Sequence, residues 1–268
     1  MKYYDKKNNR LVFVKRSATP DFWDEQWNVA NFRKAIEAGR HERFVSRTTT
    51  RYIFAGKGKR ILEGGCGKGN FVYSLSCRGY DAYGVDFAEK TVARINSAMP
   101  ELNVIVADVR KLPFENNYFD GYWSLGVIEH FYEGYNKIAE EMARVIKPGG
   151  YLFLTFPYMS PLRRLKAKFE SYPPLSHQET EPDGFYQFAL DSTQTRKYFE
   201  RLGFECVQEK PFEGFKGLKE EVAPSAKKFL QKIYDCKYFL CRIIDFMLST
   251  ILAPVCGHTI LLVLRKKL

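Results

Sequence analysis

The residues with the clearest chemical content form the run Glu63-Gly64-Gly65-Cys66-Gly67-Lys68-Gly69. Glycines let a chain turn tightly and let a ligand approach the backbone. A helix that starts just beyond such a turn points its free amides at that ligand. The spacing is GxGxG, and Asn70 stands where a dinucleotide fingerprint has its third glycine, which disfavours a nicotinamide cofactor. Next comes Tyr83-Gly84-Val85-Asp86-Phe87, an apolar run ending on a carboxylate. Asp86 there is placed to accept hydrogen bonds from the two hydroxyls of a ribose. Its competing role is to cap the helix that follows. Glu129 and His130 follow a later apolar run. An imidazole suits proton transfer near neutrality, so His130 is the candidate base. The alternative is a pair that closes the strand end and orients the loop or cofactor.

These residues need a sheet to bring them together. From 59 to 157, short apolar runs alternate with amphipathic segments, the pattern of an α/β protein with a parallel sheet. Strands are expected at 60–63, 82–87, 103–109, 119–127 and 151–156, with helices at 70–78, 89–99 and 135–146 between them. Pro100 and the Lys147-Pro148-Gly149-Gly150 run read as helix stops. A helix capped by Ser192 or Thr193 precedes a sixth strand at 204–210, and 259–264 is a seventh. Residues 1–58 read as an N-terminal extension, or lid, on a domain of residues 59–268. Two additions interrupt that domain: an irregular acceptor-side insertion over 158–190, and a helical one over 217–253.

The ordered set EGGCGKG, GVDF, VADVRKLPFENNYFDGYWSLGVIEHF and ARVIKPGGYLFLTFP resembles class I S-adenosylmethionine-dependent methyltransferases. The likeness is close over 59–157 and reaches about residue 210. It implies a Rossmann-like seven-stranded sheet with an antiparallel last strand and helices on both faces. It also implies S-adenosylmethionine as cofactor. Carried over by position, Glu63, Gly64, Gly65, Cys66 and Gly67 face the methionine part and Asp86 the ribose. Phe87 lies against the adenine, Asp108 and Val109 meet its amino edge, and Leu125 and Gly126 line the floor. No metal site is implied.

The acceptor is less legible. Trp23 and Trp27 share a helix face and either anchor the extension or close over the site. Arg43 and Arg47 could meet an anion, though a solvated face is the simpler role. Tyr158, Tyr172, His177, Phe185, Tyr186 and Phe188 could wall a ring-shaped acceptor or merely pack the insertion down. The stretch FYQFALDSTQTRKYFERLGFE is loosely similar to methyltransferases of bacterial surface-glycan and lipid pathways. The leading expectation is methyl transfer, at oxygen, to a small molecule or a lipid-linked glycan. A protein or RNA acceptor, or a non-catalytic cofactor-binding partner protein, are the alternatives.

The chain has 268 residues and a net charge of +11, which favours anionic partners. No nucleic-acid module signature appears, so nucleic acid is disfavoured. Six cysteines without CxxC pairs, and a polar N-terminus, point to free thiols and a cytoplasmic location. Residues 246–264 carry no charge, long enough for a membrane span, but Pro254 and Gly257 interrupt them and the last strand needs 259–264. Peripheral membrane contact, a partner surface and a buried capping helix all remain open. Arg242 and Asp245 are spaced to pair on a helix.

Overall fold

The computed structural model describes residues 1–56, 58–175, 183–236 and 238–268. A hairpin opens the chain, β1 (Lys2–Asp5) pairing antiparallel with β2 (Arg10–Val14). Helices α1 (Pro20–Gln26), α2 (Phe32–Glu37) and α3 (Phe44–Tyr52) follow. Next come β3 (Arg60–Gly64), α4 (Asn70–Ser76), β4 (Asp81–Asp86), α5 (Glu89–Ala98), β5 (Asn103–Val106), β6 (Phe119–Leu125), α6 (Asn136–Val145) and β7 (Ile146–Pro157). The chain continues through α7 (Pro161–Lys168), β8 (Phe185–Ala189), α8 (Ser192–Arg201) and β9 (Phe204–Phe212). Three consecutive helices, α9 (Gly214–Glu221), α10 (Pro224–Tyr234) and α11 (Phe239–Cys256), lead into β10 (Thr259–Lys266).

The seven-stranded sheet has the order β5-β4-β3-β6-β7-β10-β9. Its first five strands are parallel, and β10 runs antiparallel to both β7 and β9. Both sheet faces are covered, which is why the central strands are almost continuously apolar. Neighbouring residues serve opposite faces. Leu62, Tyr122 and Leu154 pack on one side with Met142 and Phe199. Ile61, Trp123 and Phe153 pack on the other with Val72, Leu75 and Ile95.

Several local expectations are corrected. The helix expected to reach 146 does end there, at Val145, but the Lys147-Pro148-Gly149-Gly150 run that follows it belongs to β7. There the register jumps from Phe119↔Ile146 to Gly121↔Tyr151, so the turn-forming residues bow out of the ladder. The third strand stops at Val106, and the fourth at Leu125. The cap of α8 is Asp191, whose carboxylate accepts from the Thr193 and Gln194 amides at 2.9 and 3.1 Å. Among its described residues the insertion is not wholly irregular, since it holds α7 and β8. Its strand β8 pairs antiparallel with β2, making a second sheet of order β1-β2-β8 that joins the N-terminus to the insertion.

A buried ion cluster locks that second sheet to the main one. Arg163 is fully buried and donates to Glu221 Oε1 at 2.9 Å, to the Tyr158 carbonyl at 2.8 Å and to His258 Nδ1 at 2.9 Å. Lys2 and Tyr172 also donate to the Glu221 carboxylate, at 3.0 and 2.6 Å. Although burial opposes ionisation, these partners hold Glu221 down at about 2. Cys236 and Cys241 are joined by a disulfide with their Cα atoms 5.9 Å apart, which corrects the expectation that all six thiols are free.

Candidate functional site

The carboxyl ends of β3, β4 and β6 meet α1 around a cavity of about 310 Å³, within the range of small-molecule sites, roughly 300–1,000 Å³. Gly65, Asp86, Phe87, Asp108, Val109, Leu125, Gly126 and His130 line it. Gly65, Gly67 and Gly69 all take positive φ, at 73°, 49° and 73°. A Cβ on Gly65 would stand 2.6 Å from Val127 Cγ2, so the turn requires glycine twice over. Asp86 ends β4 and is almost wholly buried; Gly67 N donates to its Oδ2 at 2.8 Å and Ala88 N to its Oδ1 at 2.9 Å. Thus Asp86 braces the glycine loop and tops the next helix at once. Each oxygen keeps a lone pair for a diol. Burial raises its carboxyl above the usual range against the pull of those amides.

Glu63, Gly64, Cys66 and Gly67 do not line this cavity. Glu63 is buried beneath the loop, where burial and the Asp86 charge raise its carboxyl well above normal; its Oε2 has no partner. Cys66 points into the sheet, in the space left by the missing side chain of Gly84. Gly67 is covered by Trp27, whose ring would be 2.9 Å from a Cβ there.

His130 donates from Nδ1 to the Tyr186 carbonyl, with the two atoms 2.6 Å apart. A carbonyl only accepts, so this nitrogen carries the proton and Nε2 keeps the lone pair. Burial pulls the imidazole down to about 4, so the ring is neutral near pH 7. Trp23 and Tyr186 each meet it edge-on, with centroids 5.1 Å away. Trp23 also stacks on Trp27 at 5.7 Å. Beside His130, burial lifts Glu129 to about 8, and its Oε2 is unpartnered.

Residues 62–154 match the family model of a methyltransferase domain. Over these residues the chain is similar to S-adenosylmethionine-dependent methyltransferases. It is 31% identical over 97 residues to a probable S-adenosylmethionine-dependent methyltransferase of Mycobacterium tuberculosis, covering 36% of this chain and 35% of that protein. It is 26% identical over 215 residues to the demethylmenaquinone methyltransferase of Bacillus mycoides, covering 70% of this chain and 86% of the relative. The chain thus spans about a third of the first relative and most of the second. In fold it resembles a Haloferax volcanii putative methyltransferase in complex with its Trm112 activator, with TM-score 0.58, 17% identity, and 92% and 96% of the two chains covered.

The Mycobacterium tuberculosis relative is named for S-adenosylmethionine, and the cavity would suit that cofactor in one specific respect. Asp86 has buried acceptor capacity at the carboxyl end of β4, of the kind that a ribose diol would need. Asp108, expected at the adenine's amino edge, is engaged by Arg110, which reaches both its oxygens at 2.7–3.0 Å and Glu133 at 3.0 Å. Arg110 lines the same cavity, although its sequence signal was only its place two residues after Asp108. The protein anchors α1 through Asp24, which accepts from Thr91 N at 2.8 Å and Thr91 Oγ1 at 2.7 Å. Trp23 and Trp27 therefore both fix the extension and line the cavity. Of the expected acceptor wall, Phe185 lines the cavity and Tyr186 touches His130. Tyr158, Tyr172 and Phe188 are core residues, and His177 lies outside the described residues. Arg43 and Arg47 are exposed and away from the cavity.

Proposed function

We propose that the protein transfers a methyl group from S-adenosylmethionine to the oxygen of a small or lipid-linked acceptor. One observation carries the reading: a neutral, Nδ1-protonated His130 lines the cavity among aromatic side chains. When bound, the cofactor supplies an electrophilic methyl group on a cationic sulfur. Asp86 holds the ribose, and the glycine loop admits the rest close to the backbone. Trp23 and Trp27 cover the cavity edge and keep water out. His130 Nε2 takes the acceptor's proton as the acceptor oxygen bonds to carbon. A hydroxyl becomes strongly acidic as that bond forms, so a base with a pKa near 4 suffices and is unprotonated at neutral pH.

The aromatic wall suits an apolar or ring-bearing acceptor better than a charged polymer. The Bacillus mycoides relative, named for a quinone, is in keeping with such an acceptor. The test is methyl transfer from radiolabelled cofactor to separated lipid, glycan, protein and RNA fractions. Label should enter an alkali-stable ether in the lipid or glycan fraction. Label confined to protein or RNA would overturn the acceptor class, and no label in any fraction would favour a non-catalytic binding protein.

A further inference from the structure

Helix α11 is packed inside out. Its inward stripe is small: Ser249, Ala253 and Cys256 lie against α9, where Gly214 and Gly217 admit backbone contact that any Cβ would block. Its outward surface is large and apolar. Phe239, Leu240, Phe246, Met247 and Ile251 are each more than half exposed, Phe239 by 77%. Helix α7, which packs beside α11, exposes Leu165, with exposed Phe169 just past its end, and α10 exposes Phe229. An apolar surface this extensive calls for something to cover it.

The charges on these helices point to the occupant. The exposed bases beside this face are Lys168 on α7, Lys228 and Lys232 on α10 and Arg242 on α11, since Arg163 is buried and Arg164 and Lys166 pair with Asp191 and Glu221. The one acid on the three helices is Asp245, which accepts from Ser249 Oγ at 3.4 Å. Arg242 is exposed and does not make the pairing its spacing suggested. Lys228 and Lys232 stand exposed one helical turn apart beside Phe229, while Lys227 is engaged by Glu220 at 2.7 Å. A two-fold contact with a second copy would bring this cationic rim against itself. A membrane span is excluded by the chain path: three residues after α11 ends, Thr259 is already paired with Pro157 and Phe212. Its 18 residues make a rod of about 27 Å that both neighbours hold against the domain.

We propose that α11 lies in the surface of an anionic bilayer, its apolar face among the acyl chains and its basic neighbours at the headgroups. The helix leads into the sheet beside Pro157, at the carboxyl end of β7, and the cavity lies at the carboxyl ends of the other parallel strands. Such docking gives the acceptor reading a physical source without depending on it, because docking needs no methyl donor.

Flotation of the full chain with vesicles tests it. Phosphatidylcholine vesicles containing phosphatidylglycerol should carry several-fold more protein than phosphatidylcholine alone, and salt should weaken the preference. Phe246→Glu with Met247→Glu, both at exposed positions, should lose about ten-fold in bound fraction with an unchanged melting temperature. Lys228→Glu with Lys232→Glu should abolish the preference for the anionic lipid. No flotation, equal flotation on both vesicles, or retention after a carbonate wash would each overturn the proposal. So would a dimer that Phe246→Glu with Met247→Glu dissociates while vesicles carry nothing.

Discussion

Replacing His130 by Gln removes a titrating ring from an aromatic pocket, and the structure sets the size of the effect. The imidazole falls from 6.5 to about 4, chiefly because burial penalises its charged form. At about 1.4 kcal/mol per pKa unit, that is about 3 kcal/mol of pH-dependent stability. Because the folded pKa is depressed, the unfolded chain takes up the proton first. The stabilisation is complete above pH 6.5 and is lost as the pH falls toward 4. His258 is also depressed, to about 2, so the wild type alone cannot isolate His130. The difference between wild type and His130→Gln can. Urea unfolding, followed by tryptophan fluorescence at successive pH values, should show that difference shrinking by about 3 kcal/mol between pH 6.5 and 4. Turnover of the variant should be roughly 100-fold lower at pH 7, with cofactor affinity near normal. A flat stability difference would mean that the ring is not held neutral, and the proton-acceptor argument would fail with it.

Two further outcomes follow from the same contacts. Gly65→Ala places a methyl group against Val127 on a backbone with φ of 73°, so the cofactor-induced rise in melting temperature should largely vanish; an undiminished rise would count against the loop's role. Glu221→Ala leaves Arg163 and Lys2 without their shared carboxylate, and should cost about 3–5 kcal/mol in denaturant unfolding, a loss below 1 kcal/mol showing that the cluster is not buried in solution.

What could be read from the chain alone was local. The glycine loop, Asp86 and the strand alternation are contiguous signals, and in each the residue type is dictated by a backbone constraint within a few positions. The second sheet escaped notice because its pairing joins Leu11 to Ala189, and nothing in either short strand names the other. The burial of Arg163 and Glu221 is nonlocal for the same reason: it depends on where α9 and the segment entering β10 are brought against α7. The Lys147-Pro148-Gly149-Gly150 run carries an honest turn signal, but a bulged strand uses turn residues as readily as a helix end does. The partner that sets the His130 tautomer is the carbonyl of Tyr186, a backbone atom with no side-chain signature. The outward face of α11 was visible as apolar sequence, yet only the glycines of α9 reveal which side turns inward.

The central claim is that Asp86 and the glycine loop hold S-adenosylmethionine, and calorimetric titration tests it most directly. Wild type should bind S-adenosylmethionine and show no heat with NAD. Asp86→Ala loses charged hydrogen bonds to two hydroxyls and should weaken affinity by about 1.5–3 kcal/mol, or roughly 10- to 150-fold. Unchanged affinity in Asp86→Ala, or a wild type that binds NAD in preference, would contradict the account.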